Sequence, residues 1–436
     1  MPLVVGADTF LGSRLARELA RHTPGPVTTV TGPGGGGALE VDLHSDEALA
    51  VLLARVHGQT VYYCADSAEL GGSFPTTVSS GTGRGEWARR IDVAVPRDLA
   101  RVAGQLIYLS TDRVFAQEGP VHADAEPRPG SPYGDLKLEG ERAVLSAAPG
   151  ALVVRVSAPF DDDGTPTHSF AALHTFEAAD NETAAPSYAP DVIRSLLGLV
   201  GRGDRGVRHL TGPTRLSDYD LHQLASLRWG FDVTPAVTSR REPMREPVPS
   251  PGVRLRAPAD VFVPRRTRDA RSRAAATRLT VFDCVGVVLG RRTWKEVGDG
   301  FWDSQDAWGA RTGPLPEADF VADAYGPNPY FWRALRAMPL DQPRVLANNG
   351  PLASFGIWER RYGFPQIFDL VINSEREGYS KPSPAFFSQV ASVAGAGAIT
   401  LIDDTEDIVR AARRHGWGAA RSTLVSTWPV EEYQWE

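Results

Sequence analysis

Two constellations in this chain have residue types and spacings suited to chemistry, and each lies beside one of its few lysines. Lysine occurs only at Lys137, Lys295 and Lys381, against 43 arginines. Arg serves almost wherever a surface cation is needed, so a retained Lys marks a place needing a compact ammonium or one whose pKa can shift. Lys137 follows Tyr133 by four residues in SPYGDLKLEGER, and on a helix that spacing puts both side chains on one face. An ammonium beside a phenol eases its ionisation and suits a ribose hydroxyl, while the hydroxyl of Thr111, in STDRVF, suits a substrate oxygen. Lys381 opens KPSP, between the strand-like TVFD ending in Asp283 and LIDD ending in Asp403 and Asp404. Carboxylates from neighbouring strand ends suit a hard cation such as Mg²⁺, and a nearby lysine offsets phosphoryl charge.

A glycine turn accompanies the first constellation. Gly6-Ala-Asp-Thr-Phe-Leu-Gly12 follows an apolar strand and opens a helix over Ser13–Ala20, the arrangement that offers a dinucleotide pyrophosphate a helix N-terminus. Gly6, Thr9, Phe10, Leu11 and Gly12 are the expected cofactor contacts. Thr9 stands where a middle glycine would let the backbone approach phosphate. After the second strand, TVTGPGGGG has no acid for an adenosine ribose, which tilts the expected cofactor toward NADP, with NAD the alternative.

The elements that must position these residues fall into two series. Strand-like runs Leu3–Val5, Val27–Val30, Val61–Cys64, Leu106–Ser110 and Leu152–Arg155 alternate with helical patterns, which predicts a doubly wound parallel sheet. Residues 239–274 carry six prolines, ten arginines and four acids, a texture that builds no core and reads as a linker or an arm laid on the first domain. Leu279–Asp283, Val345–Asn348, Leu370–Ile372 and Thr400–Asp403 form a second series. The expected organisation is a domain over 1–238, a Pro/Arg-rich segment over 239–277 and a domain over 278–436. A small helical cap over about 290–342 is included in the second domain. Its aromatics, Trp294, Phe301, Trp302, Trp308, Phe320, Tyr325, Tyr330, Phe331 and Trp332, suit the packed interior of such a cap better than a ring-stacking site.

Composition narrows the classes further. At 436 residues the chain exceeds the ~250–300 at which one core usually stops growing. A net charge of −7 offers no global basic footprint, so nucleic acid is not expected. No apolar stretch approaches membrane length and no charged leader precedes the first strand, which predicts a cytoplasmic protein without a membrane partner. Cys64 and Cys284 each lie inside an apolar run and read as buried thiols.

On GADTFLG, STDRVF, SPYGDLK, LVVRVSAPF and APSYAPDVIRSLL, residues 1–230 resemble the extended short-chain dehydrogenase/reductase family, in its dTDP-4-dehydrorhamnose reductase branch. The resemblance implies that Thr111, Tyr133 and Lys137 hold and protonate a carbonyl oxygen that accepts hydride from a nicotinamide, and that Ala65 flanks the cofactor. On TVFDCVGV, VLANNG, KPSP and LIDD, residues 278–436 resemble the haloacid-dehalogenase superfamily. That resemblance implies Asp283 as phosphoryl-accepting nucleophile, Asn348 in a second motif, and Lys381 as counter-charge. Asp283, the main-chain carbonyl of Val285, Asp403 and Asp404 would hold Mg²⁺. Val285 replaces the expected acid/base and Ala347 a hydroxyl, so little or no phosphatase turnover is expected. The resulting expectation is a fusion of two α/β domains, with a homodimer as the expected assembly, that reduces a keto group on a sugar nucleotide or related metabolite and carries a phosphoryl-ligand domain. The alternatives are an epimerase or dehydratase with transient cofactor redox, and a non-catalytic nucleotide-binding regulator or scaffold.

Overall fold

The computed structural model describes residues 1–70, 82–117, 119–162, 175–237, 245–263, 278–292, 318–339, 342–394 and 397–422. The chain divides into two compact units. The first comprises Met1–Ala171, Glu182–Arg215 and Arg241–Ala257; the second comprises Ala172–Asn181, Leu216–Arg240 and Pro258–Glu436. The division therefore does not follow the compositional boundary at 238, because stretches 172–181 and 216–240 group with the second unit.

The first unit is built on seven strands: β1 (Pro2–Val5), β2 (Thr28–Thr31), β3 (Leu39–Glu40), β4 (Thr60–Tyr63), β5 (Gln105–Thr111), β6 (Leu152–Val156) and β7 (Gly206–Leu210). They pair in parallel in the order β7-β6-β5-β4-β1-β2-β3. Apolar runs such as the fully buried LVVRV of β6 reflect a sheet covered on both faces. The chain winds outward from β1 in one direction and from β4 in the other, so the strand order reverses between them. Ligands of open α/β sheets bind at the carboxyl ends of such a pair. Part of the Pro/Arg-rich segment belongs here: Arg245–Pro247 pairs in parallel with Gly119–Val121, and Arg256 forms an ion pair with Asp191.

The second unit has a five-stranded parallel sheet of β8 (Arg278–Asp283), β9 (Arg344–Asn348), β10 (Leu370–Asn373), β11 (Ala398–Asp403) and β12 (Gly418–Arg421), in the order β10-β9-β8-β11-β12. Here the order reverses between β8 and β11, which places Asp283 and Asp403 at the switch point. Of the cap aromatics, Trp294, Phe301, Trp302 and Trp308 lie outside the described residues. Tyr325, Phe331 and Trp332 are buried, and Phe331 packs edge-on to Phe282 with ring centroids 5.1 Å apart, so these three build core. Both cysteines are buried free thiols.

Candidate functional sites

In the first unit the glycine turn is dictated by close backbone approach. Gly6 has φ +77°, and a Cβ there would lie 2.4 Å from the Ala65 nitrogen; one on Gly12 would lie 2.0 Å from the Gly6 oxygen. Thr9 is the N-cap of helix α1 (Phe10–His22). Its buried hydroxyl accepts from the Gly12 N–H at 3.2 Å and lies 2.8 Å from the Gly6 oxygen and 3.2 Å from the Cys64 oxygen. The side chain is thus spent on the interior of the turn. The first turn of α1 holds no acidic residue, so its N-terminal partial charge is available to an anion. These features fit the pyrophosphate of a dinucleotide.

Helix α2 (Pro132–Ala147) is started by Ser131, whose side chain accepts from the Gly134 N–H, with Pro132 at its first position. It carries Tyr133 and Lys137. Gly140 lets it approach a π-helical turn over Arg90–Ala94, since a Cβ there would sit 2.2 Å from the Asp92 oxygen. The Lys137 ammonium, buried, reaches Asp66 and Asp92 at 3.3 Å each and lies 4.8 Å above the Tyr108 ring. The Tyr133 phenol donates to Asp66 Oδ2 at 2.7 Å. Burial pushes the Tyr133 phenol well above its ordinary value; Lys137 opposes this and Asp66 adds to it. Burial pulls the Lys137 ammonium down, but Tyr108, Asp66 and Asp92 outweigh it and hold the group protonated.

Tyr133 and Lys137 therefore meet, and Ala65 lies buried beside the Gly6 turn. Thr111 does not join them by any hydrogen bond among the described residues: its hydroxyl caps the short turn Asp112–Val114, accepting from Arg113 N–H at 3.2 Å and donating to Asp112 at 3.3 Å. Sequence reasoning missed Asp66 and Asp92. Asp66 directly follows Ala65 at the end of β4, a position that could have marked it; nothing in the sequence marks Asp92.

In the second unit Lys381 donates to Asp283 Oδ1 at 2.5 Å and to Asp403 Oδ2 at 2.7 Å. Asn349 fixes the lysine's main chain, accepting from the Lys381 N–H at 2.9 Å and donating to its carbonyl at 2.8 Å. Gly286, at φ +88°, leaves room for Asp404; a Cβ there would lie 2.1 Å from Asp404 Oδ2. Ligand oxygens of Asp283, Asp403 and Asp404 lie within 4.8 Å of one another. Burial raises the Asp283 carboxyl well above its usual range, with Lys381 opposing, and burial with Asp403 also raises Asp404. Three crowded hard oxygen donors and one ammonium fit a divalent cation. Val285 is half-buried and bridges to Leu289, while Ala347 is wholly buried in register with Asp283. Asn348 is buried at the end of β9, in register with Asn373. Asn349, the following residue, is the one that holds Lys381.

With this geometry in place, the first unit defines a parallel α/β dinucleotide-type fold carrying a Tyr/Lys pair. The chain belongs to the RmlD substrate binding domain family, which it matches over residues 1–254. It is 32% identical over 224 residues to dTDP-4-dehydrorhamnose reductase of Mycobacterium tuberculosis (strain ATCC 25618 / H37Rv), covering 47% of this chain and 67% of that protein. A probable dTDP-4,6-dihydroxy-2-methyloxan-3-one 4-ketoreductase of Streptomyces antibioticus is 28% identical over 236 residues, covering 51% and 74%. Methionine adenosyltransferase 2 subunit beta of Danio rerio is 27% identical over 236 residues, covering 50% and 71%. Among the described residues no helix is long and apolar enough to cross a membrane.

Proposed function

We propose that the protein is an NAD(P)-dependent oxidoreductase that reduces a keto group on a sugar nucleotide or a related metabolite. The observation that carries this reading is the buried Tyr133, Lys137 and Asp66 group beside the Gly6 turn. Gly6, Thr9, Phe10, Leu11 and Gly12 would hold the dinucleotide, which supplies the hydride. Tyr133 would give its proton to the carbonyl oxygen as charge develops there, with Lys137 holding the phenol and Thr111 the substrate edge.

Asp66 favours reduction over the epimerase or dehydratase alternative. Those reactions begin by taking a proton from an alcohol and need a phenolate, whereas a carboxylate 2.7 Å from the phenol opposes its ionisation. The family's reductases support the same reading. The subunit beta relative is what supports the regulatory alternative. Mixing the protein with reduced dinucleotide and a 4-keto sugar nucleotide should oxidise the dinucleotide stoichiometrically with product. Retention of the dinucleotide without oxidation, across a panel of keto sugars, would leave the regulatory reading.

The second unit we read as a haloacid-dehalogenase-like domain that binds Mg²⁺ and a phosphorylated ligand, with weak or no hydrolysis. Asp283, Asp403, Asp404 and the Val285 carbonyl would hold the ion, and Lys381 would meet the phosphoryl charge. The convergence of Asp283, Lys381 and Asp403 at one strand-order reversal supports it. Calorimetric titration with Mg²⁺, repeated on Asp403→Asn, tests it; equal binding by both forms removes the assignment.

A further inference from the structure

We infer that the cofactor cleft of the first unit selects against a 2′-phosphorylated dinucleotide, with Asp8 supplying the ribose-binding carboxylate that the end of β2 lacks and Glu40 guarding the same edge. This rests on the dinucleotide-binding reading above. In a doubly wound fold the adenosine ribose is met by an acid at the end of the second strand. Here β2 ends at Thr31 and runs into Gly32-Pro-Gly-Gly-Gly-Gly37. A carboxylate nevertheless stands there: Asp8, two residues after Gly6, accepts from the Gly32 N–H through Oδ2 at 3.3 Å. A Cβ built on Gly32 would lie 3.8 Å from that oxygen. A side chain on position 32 would thus start in van der Waals contact with the Asp8 carboxylate. The turn that binds pyrophosphate also delivers the ribose acid.

The loop beyond adds a second negative charge. Glu40 is the register partner of Thr31 across β3, and its carboxylate accepts from the amides of Gly34 at 3.0 Å and Gly36 at 3.1 Å. Both glycines have positive φ, +80° and +70°, which curls their N–H groups around one anion. Those amides would otherwise be the natural partners of a 2′-phosphate, and Glu40 already holds them. No hydrogen bond or ion pair described for Asp8 or Glu40 brings an arginine or lysine to this edge. A ribose 2′-hydroxyl can donate to Asp8, whereas a phosphate meets two carboxylates that, among the described residues, no cation pairs with. The missing strand-end acid, which from sequence favours NADP, is therefore compensated from another element.

Calorimetric titration of the full chain with NADH and with NADPH decides the matter. The unaltered protein should bind NADH at least about tenfold more tightly, since each like-charge approach at this exposure is worth about a fivefold effect in affinity. Asp8→Asn with Glu40→Gln should bring the two affinities within about threefold, chiefly by tightening NADPH. The NADPH penalty should also shrink at high salt. NADPH binding as tight as NADH in the unaltered protein, or an affinity ratio unmoved by the double substitution, overturns the inference and leaves dinucleotide binding standing. Binding of neither overturns both.

Discussion

The Tyr133 phenol donates a hydrogen bond to the Asp66 carboxylate at 2.7 Å, and the same carboxylate oxygen lies 3.3 Å from the Lys137 ammonium. The lysine on its own would ease ionisation of the phenol; the carboxylate, with burial, keeps the proton in place. Burial raises the Asp66 carboxyl, but Lys137 together with the hydrogen bonds from Tyr133 and the Ala68 N–H outweighs it and holds the group below its ordinary value. The phenol is therefore held in its protonated form, the form that the proposed reduction would use.

Removing that charge should move the pH profile in a defined direction. Because Asp66 raises the Tyr133 pKa, Asp66→Asn lowers it, and the decline of reductase turnover with rising pH should begin at lower pH than in the unaltered protein. Tyr133→Phe should abolish most turnover while leaving dinucleotide affinity nearly unchanged. A pH–rate profile unmoved by Asp66→Asn would remove the carboxylate from the mechanism.

Lys137→Arg should impair turnover despite conserving charge. The ammonium sits between two acids and above a ring, a space for a compact cation, and a guanidinium is larger and cannot tune a phenol. Lys137→Met should also cost about 3–5 kcal/mol in denaturant unfolding, since it strands Asp66 and Asp92 beside each other. Reductase assays of the Arg variant and unfolding of the Met variant check the two halves separately.

The strands, the glycine turn and the Tyr/Lys spacing were legible in the sequence because each rests on local periodicity. What was not legible comes from residues joined only by the fold. Asp92 reaches Lys137 because a π-helical turn and Gly140 bring two helices together. Thr9 reads as a lost glycine, yet serves as a helix cap whose hydroxyl faces inward. Residues 216–240 show no change in composition, so nothing announced that they pack with the second unit.

Those residues are locked into the second unit by Arg292. It is buried and paired with Asp220 at 2.6 Å and with Asp180, and it donates to Ser217 at 3.2 Å. Arg292→Met should destabilise the second unit by about 3–5 kcal/mol, because it removes the guanidinium that pairs directly with two buried acids. Thermal unfolding followed by tryptophan fluorescence should show the loss. A change below about 1 kcal/mol would mean that solvent already reaches these acids.

His209 should make the first unit acid-sensitive. Its Nε2 faces an Arg155 N–H at 3.4 Å and its Nδ1 lies 3.1 Å from the Val248 carbonyl, an arrangement satisfied by the neutral ring. Burial, with Arg155 adding to it, lowers its pKa to about 4. The unfolded chain therefore binds a proton that the folded chain refuses between about pH 6.5 and pH 4. Stability should fall across that window by on the order of 3 kcal/mol as the pH is lowered. His209→Gln should flatten the dependence in urea unfolding measured at several pH values, and an unchanged slope would assign the acid sensitivity elsewhere.

The last expectation separates ligand binding from acid catalysis in the second unit. Asp283, Lys381, Asp403 and Asp404 lie in one cluster, where on the proposed reading they would supply a nucleophile, a counter-charge and cation ligands. Val285, half-buried at the turn after Asp283, supplies no proton for a departing group. Val285→Asp should therefore raise hydrolysis of an activated aryl phosphate by up to about two orders of magnitude, the scale of one positioned general acid/base. Alkyl phosphates, whose leaving groups need protonation more, should respond more strongly in relative terms. Crowding by Asp283 and Asp404 will raise the new carboxyl's pKa, which suits an acid and limits its later use as a base. Ala347 adds a second deficit, because no hydroxyl stands in register beside Asp283. A Val285→Asp, Ala347→Ser double variant that folds and binds Mg²⁺ yet stays inert on both substrate types would show that the cluster is kept for binding alone.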